Sequence, residues 1–116
     1  MEKLYFAAPY PPILFTGEKY KTFRLAGSSD KYSIGDLVSM CYPDDEEFAQ
    51  SVVCSKYRKK FKDLTEEDWK GHERFESEET MYKTYENWNK RKIGPETEMD
   101  IIVYKDFKLT GKPRKS

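Results

Sequence analysis

The stretch GEKYKTFR, residues Gly17–Arg24, decides how this chain is expected to fold. It follows an apolar segment in which Pro11-Pro12 can start a helical turn, because proline already has the backbone angle of a first helical residue. Gly17 can end that turn, since glycine readily adopts the left-handed conformation that follows many helices. A β-strand is then predicted over Tyr20–Leu25. The stretch therefore predicts a junction between a helical turn and a strand.

Three polar side chains can converge at this junction. Side chains alternate between the two faces of a strand, so Thr22 and Arg24 share one face. Lys19 joins them only if the chain is still turning at Lys19 and Tyr20, which a capping Gly17 permits. We therefore predict that an amine, a hydroxyl and a guanidinium meet beside the junction. The alternative is that both cations are ordinary surface residues and that the threonine is an ordinary strand residue.

Size and composition limit the classes of protein that fit. A chain of 116 residues is long enough for one hydrophobic core, so we expect a single domain over residues 1–110 and a flexible basic tail over residues 111–116. The 21 basic and 21 acidic residues balance, which leaves no global positive field for nucleic acid. No apolar run reaches the length of a membrane span, and the first residues lack the regions of a signal peptide. We expect a cytoplasmic monomer with no membrane partner, although the sequence does not reveal the oligomeric state.

The cysteines and the histidine do not form a metal-binding pattern. Cys41 and Cys54 are the only cysteines, and they stand thirteen positions apart with no CxxC spacing. The single histidine, His72, cannot complete a plausible zinc set with them. We expect reduced thiols, no metal and no cofactor.

Predicted strands alternate with two capped helices along the rest of the chain. Thr65 begins a capping-box pattern, and Ser77 starts a second helix in a similar way. Met81, Tyr85 and Trp88 follow at helical spacing and are predicted to face the core. The other predicted strands cover residues 3–8, 37–42, 48–61 and 99–109.

Basic residues dominate the second half of the long predicted strand. Two aromatic residues, Tyr57 and Phe61, are interleaved among them, so Lys56, Arg58 and Lys60 would lie on one face and the rings on the other. Such a strand can bind a phosphate backbone and stack bases, which makes the three cations candidates for nucleic-acid binding. The alternative is a solvated strand edge in which lysines prevent edge-to-edge pairing.

The loop between the two predicted helices carries a carboxylate that no helix cap explains. Glu73 and its neighbour His72 are the candidates there for general acid–base chemistry. The alternative is an exposed loop glutamate without a role.

Taken together, these motifs resemble an ASCH domain, a small family of the PUA-like group. The resemblance covers most of the chain, from about Leu4 to Leu109. Its elements are the pattern G-x-K-x-x-T-x-R in Gly17–Arg24, Gly35-Asp36 before a strand, Leu64–Glu67 at a helix start, Glu73–Glu79, and a last strand that ends in Phe107-x-Leu109.

The resemblance implies an α+β fold: a small, mostly antiparallel PUA-like β-barrel with two or three short helices packed on it. It also implies a cleft that binds RNA or a modified nucleoside. One branch of the family hydrolyses the acetyl amide of N4-acetylcytidine. In that branch the catalytic residues match Lys19, Thr22 and Glu73 here, and we expect Arg24 of the same motif to bind the ligand.

Several alternatives remain open at the level of the sequence. Lys19 could act as the base for a Thr22 nucleophile. Glu73 could instead activate a water while Lys19 and Thr22 hold the oxyanion. The ring of a bound base could stack on Tyr20, Phe75 or Tyr57. The chain could also be a non-catalytic RNA-binding module or a single-strand ribonuclease.

Overall fold

The computed structural model describes residues 1–115, which form one five-stranded sheet and two α-helices. This confirms the predicted α+β class. The strands are β1 (Glu2–Tyr5), β2 (Lys21–Leu25), β3 (Leu37–Cys41), β4 (Glu47–Lys60) and β5 (Glu98–Leu109). The helices are α1 (Glu66–Trp69) and α2 (Glu78–Asn89), and two 3-10 turns cover Pro12–Phe15 and Phe61–Asp63.

The sheet is not closed into the β-barrel that the sequence resemblance implies. Its order is β1-β3-β4-β5-β2, with β1 parallel to β3 and the other neighbours antiparallel. The edge strands β1 and β2 do not pair with each other within residues 1–115. After β1 the chain enters a segment with Pro9, Pro11 and Pro12, which lack the N–H groups that a strand ladder requires. Side chains occupy the gap instead: the Arg24 guanidinium lies 4.7 Å from the centroid of the Phe6 ring.

The longest strands, β4 and β5, form the centre of the sheet. Their register shifts twice, between Gln50 and Val52 and between Val53 and Ser55. Such irregularities bend a strand and increase its twist. The prediction of one long strand over residues 48–61 is confirmed.

Two hydrophobic clusters cover opposite faces of the sheet. Neighbouring residues of β5 point to opposite faces, so Ile102 belongs to one cluster and Ile101 to the other. Thr22 pairs with Ile102 and Phe23 pairs with Ile101. Thr22 therefore lies on the face of the first cluster, and Phe23 packs under α2 in the second.

Both helix starts agree with the sequence prediction. Thr65 and Asp68 form a complete capping box at α1, and the Ser77 hydroxyl accepts a hydrogen bond from the Thr80 amide at 3.1 Å. Tyr85 of α2 is buried, but Trp88 is 36% exposed. The prediction that Trp88 belongs to the core is wrong, because the end of α2 lines a cleft instead.

The C-terminal tail contacts the turn between β3 and β4. Arg114 forms ion pairs with Asp44 and Glu46, and its guanidinium lies 3.8 Å from the Tyr42 ring centroid. Ser116, the last residue of the predicted flexible tail, lies outside the described residues.

The thiols of Cys41 and Cys54 are free. Within residues 1–115, no group of three or more histidine, cysteine or acidic side chains is arranged to hold a metal ion. None of the helices in the same range is long and apolar enough to cross a membrane.

Candidate functional site

A cleft of about 230 Å³ lies where the barrel would close, between the end of β1, the edge strand β2 and the end of α2. The side chains that give it chemical character are Lys19, Thr22, Arg24, His72, Glu73 and Trp88. The gap between the two edge strands therefore contains the junction that the sequence singled out.

Lys19 reaches the cleft because the chain is still turning when it arrives there. Gly17 follows the 3-10 turn with a φ of +84°, and the Lys19 amide donates to the Ile13 carbonyl at 3.1 Å. β2 begins only at Lys21. The prediction that Lys19 joins Thr22 and Arg24 on one side is confirmed.

A loop anchored on β2 carries Glu73 into the same cleft. The Gly71 carbonyl accepts hydrogen bonds from the amides of Tyr20 at 2.8 Å and Lys21 at 3.1 Å. On the other face of β2, the Lys21 ammonium donates to the Glu67 carbonyl at 2.6 Å near the end of α1. These contacts fix the loop after α1 to the start of β2.

Lys19 and Glu73 form a buried ion pair across the cleft. Their side chains are 4% and 20% exposed, and the Lys19 ammonium donates to Glu73 Oε1. Hydrogen bonding and mutual attraction stabilise both charges of such a pair. The sequence alternative of an exposed loop glutamate is wrong, because the Gly71 anchor turns the loop inward.

His72 contacts the same oxygen of the Glu73 carboxylate as Lys19 does. Its Nδ1 lies 3.0 Å from Glu73 Oε1 and 2.8 Å from the Glu73 carbonyl oxygen. Both are acceptors, so we assign the imidazole proton to Nδ1. The ring stacks on Phe23 with centroids 4.0 Å apart, which fixes its orientation. His72 is thus a positioning residue for Glu73.

The charge states of Lys19, His72 and Glu73 follow from their burial and from their contacts with one another. Burial and the nearby Lys19 lower the pKa of His72, which keeps the imidazole neutral. Burial opposes ionisation of Glu73, but His72 and Lys19 outweigh it and hold the pKa well below its usual range. Burial also lowers the pKa of Lys19, against the effect of Glu73. The cleft therefore contains the ionised Glu73 carboxylate beside a Lys19 ammonium that burial makes more acidic.

Arg24 adds a cation that has no acidic partner. Its Nε donates to Thr22 Oγ1 at 3.0 Å, and no carboxylate within residues 1–115 forms an ion pair with it. Burial lowers the pKa of its guanidinium, although arginine stays charged. The hydrogen bond occupies an acceptor position of Thr22, so the hydroxyl proton is left to donate to a ligand.

The aromatic residues proposed for stacking do not line this cleft. Tyr20 is 38% exposed and packs against Gly71. Phe75 packs against Trp69 and Tyr85 in the second cluster, and the Tyr57 hydroxyl donates to Asp68 at 2.8 Å. The structure therefore does not bring Tyr20 or Phe75 together with Lys19, Thr22 and Glu73.

The three strand cations proposed for nucleic-acid binding have partners within the protein. The Lys56 ammonium donates to the carbonyls of residues 29 and 32 at 3.1 and 2.8 Å. Arg58 Nε donates to Asp100 at 2.7 Å, and Lys60 pairs with Glu96 at 3.1 Å. Their role in binding nucleic acid stays a prediction.

Sequence reasoning missed Phe6 and Trp88 as cleft residues. The helical spacing that predicted a buried Trp88 is equally consistent with a residue that lines a cleft. Phe6 lies one residue beyond β1, and only the open edge of the sheet reveals its contact with Arg24.

No protein-family model and no curated protein matches this chain. Three solved structures are similar to it in fold. The ASCH domain from Lactobacillus crispatus JV V101 is 11% identical, with a TM-score of 0.59 over 90% of this chain and 79% of that chain. A mutant ZmASCH protein from Zymomonas mobilis is 13% identical, with a TM-score of 0.58 over 93% and 70%. Protein EF3133 from Enterococcus faecalis V583, of the family DUF984, is 8% identical, with a TM-score of 0.57 over 82% and 63%. The chain therefore has the fold of ASCH domains.

Proposed function

We propose that the protein is an amidohydrolase that binds a cytidine-type nucleoside and hydrolyses the acetyl amide of N4-acetylcytidine. The observation that carries this proposal is the convergence of Lys19, Thr22 and Glu73 in one cleft. These residues come from two segments 54 positions apart, and the ASCH resemblance assigns the catalytic roles to the same three positions.

The arrangement of donors and acceptors supports a water-mediated reaction. Glu73 is an ionised acceptor, whereas Lys19, Thr22 and Arg24 present hydrogen-bond donors. Water attacks the acetyl carbon while one of its protons passes to the Glu73 carboxylate. The carbonyl oxygen becomes an oxyanion, which Lys19 and Thr22 stabilise by donating to it.

The second half of the reaction returns the proton. The oxyanion collapses, the bond between the acetyl carbon and N4 breaks, and protonated Glu73 gives its proton to the leaving amine. The products are cytidine and acetic acid, so one water is consumed for each amide bond. Glu73 ends the cycle as a carboxylate.

A covalent route through Thr22 is less well supported. It requires Lys19 to be neutral so that its amine can take the hydroxyl proton. The Lys19 amine instead contacts Glu73 Oε1, and this carboxylate favours the ammonium form against the burial that lowers the Lys19 pKa. The geometry therefore favours Glu73 as the base and Lys19 as a donor.

The size of the cleft favours a free nucleoside over a longer RNA. A volume of about 230 Å³ is below the ~300–1,000 Å³ that is typical of sites for drug-sized ligands. RNA binding without catalysis is the alternative function for this cleft. The two differ in salt dependence, because binding through several phosphates weakens steeply with salt and binding of a nucleoside does not.

Release of cytidine and acetate from N4-acetylcytidine tests the proposal. We compare the wild type with Lys19→Ala and Glu73→Gln, and we expect turnover by the wild type and at least a ~100-fold loss in each variant. The Lys83–Glu79 pair offers a matched control, because it is an exposed ion pair on α2 with 3.1 Å between its charged atoms. Lys83→Ala and Glu79→Gln should keep full activity.

Absence of turnover by the folded wild type would overturn the proposal for this substrate. Equal activity in the wild type and the Lys19 and Glu73 variants would place the chemistry elsewhere.

A further inference from the structure

We propose that Trp88 forms the stacking wall of the cleft and holds the flat heteroaromatic ring of the ligand. This inference deepens the proposed function, because it assigns a binding subsite to the nucleobase.

Most of the rings that line the cleft are already covered. The Phe6 ring lies under the Arg24 guanidinium, at 4.7 Å from its centroid. Phe23 and His72 stack on each other at 4.0 Å with an interplanar angle of 17°. Tyr85 is 3% exposed. None of these four rings offers an open face to a ligand.

Trp88 differs from these rings in exposure and in how it is held. It lines the cleft and is 36% exposed overall, and its Nε1 donates to the Ala8 carbonyl at 3.0 Å. Its ring also meets Tyr85 edge to face at 5.3 Å. The hydrogen bond and the ring contact hold the indole in place, so its exposed part is available to a ligand without further ordering. Such a pre-positioned ring suits base stacking, and alanine substitution of a stacking residue lowers affinity about 5- to 160-fold.

Tyr5 is the other exposed aromatic residue at the cleft, at 40% exposure. Its hydroxyl bonds to Asp45, in the turn after β3, and its ring belongs to the outer edge strand β1. Trp88 instead lies on α2, the helix whose Tyr85 packs with Phe23 in the second hydrophobic cluster. The cleft is small, so a ring on Trp88 shares a single cavity with Glu73.

Intrinsic fluorescence tests this subsite directly. The chain has two tryptophans, Trp69 and Trp88, so the variant Trp69→Phe leaves Trp88 as the only one. Cytidine should quench its emission saturably, whereas ribose at equal concentration should not. Absence of saturable quenching by cytidine would overturn the proposal.

Calorimetric titration of cytidine then compares variants. Trp88→Ala should weaken the affinity by about 5- to 160-fold. Trp88→Phe, which keeps a ring, should stay within about threefold of the wild type, and so should Tyr5→Leu. Binding by Trp88→Ala within twofold of the wild type would overturn the proposal, as would an equal loss in Tyr5→Leu. Circular dichroism shows that each variant is folded.

Failure of this inference can be distinguished from failure of the proposed function. Saturable quenching by cytidine, with weakened binding in Trp88→Ala and no acetate released by any protein, supports the subsite and overturns the amidohydrolase. Acetate release with an unchanged KM in Trp88→Ala supports the amidohydrolase and overturns the subsite.

Discussion

The ring of Tyr20 occupies the space into which a side chain at Gly71 would project. A Cβ at position 71 would lie 2.4 Å from the Tyr20 ring, and the Tyr20 amide donates to the Gly71 carbonyl at 2.8 Å. Tyr20 therefore does not need to touch the ligand in order to matter. It holds the loop that brings Glu73 to Lys19.

This relationship predicts that Gly71→Ala destabilises the protein and lowers its activity together. Gly71 has a φ of +79°, so alanine incurs the left-handed strain of about 1–2 kcal/mol and a steric clash of about 1–3 kcal/mol in addition. Urea unfolding measures the stability, and acetate release measures the activity.

Gly27→Ala is the matched control. Gly27 has a φ of +96°, but a Cβ there would meet nothing within 4 Å. Gly27→Ala should therefore lose stability only through the left-handed backbone strain, and it should keep its activity. Equal losses of stability in the two variants would mean that the Tyr20 contact is unimportant.

Arg24 and Thr22 are expected to act as one unit. Arg24 Nε donates to Thr22 Oγ1 at 3.0 Å, and a lysine at this position has no equivalent planar donor. Arg24→Lys should lower kcat about 10- to 100-fold in the wild type and cause little further loss in a Thr22→Val background. Kinetics of the single and double variants measure this coupling. Independent, additive losses would contradict it.

Stability should fall in mildly acidic solution because of His72. Burial and Lys19 lower the pKa of its imidazole below the unfolded value of 6.5, so the unfolded chain binds more protons in this range. The contribution of His72 to stability is therefore complete above about pH 6.5 and is lost as the pH falls toward the lowered pKa, with a slope of at most ~1.4 kcal/mol per pH unit.

His72→Asn tests this origin, because an asparagine amide can still donate to Glu73 but does not titrate. Its unfolding free energy should depend less on pH between 7 and 5 than that of the wild type. Parallel curves for the two proteins would assign the acid sensitivity to other groups.

Asp68 is expected to be important for stability and not for catalysis. It accepts hydrogen bonds from Lys59 at 2.7 Å, Tyr57 at 2.8 Å and the Thr65 amide at 2.8 Å. Burial opposes its ionisation, but these bonds outweigh burial and lower its pKa to about 2. Asp68→Asn should cost about 2–4 kcal/mol in urea unfolding at pH 7.

The effect of Asp68→Asn should shrink as the pH falls from about 4 toward 2, because the wild-type carboxylate is then protonated as well. Asp63→Asn is the control, since Asp63 is exposed on the preceding 3-10 turn. A loss of activity larger than the loss of folded protein would show that Asp68 also affects the site.

The parts of the fold that depend on local chemistry were predictable from the sequence. Thr65 and Ser77 start helices because their side chains bond to amides three residues ahead. Gly17 and the alternation of Thr22 with Arg24 place one half of the site, because turn chemistry and strand parity act over a few residues.

The other half of the site depends on contacts between distant residues. Gly71 and Tyr20 meet across 51 positions, and nothing in the loop sequence shows that Glu73 turns inward. The open edge of the sheet was equally hidden, because it depends on how the proline-rich segment after β1 leaves the sheet. For this reason, only the structure identifies Phe6 and Trp88 as residues that line the cleft.

The most direct test of the central claim is a double-mutant cycle on Lys19 and Glu73, read as kcat/KM for N4-acetylcytidine. If the buried pair acts as one catalytic unit, Lys19→Ala and Glu73→Gln each lose at least ~100-fold, and the double variant loses little more than either. Wild-type-like turnover in either single variant, or losses that multiply in the double variant, would contradict the account.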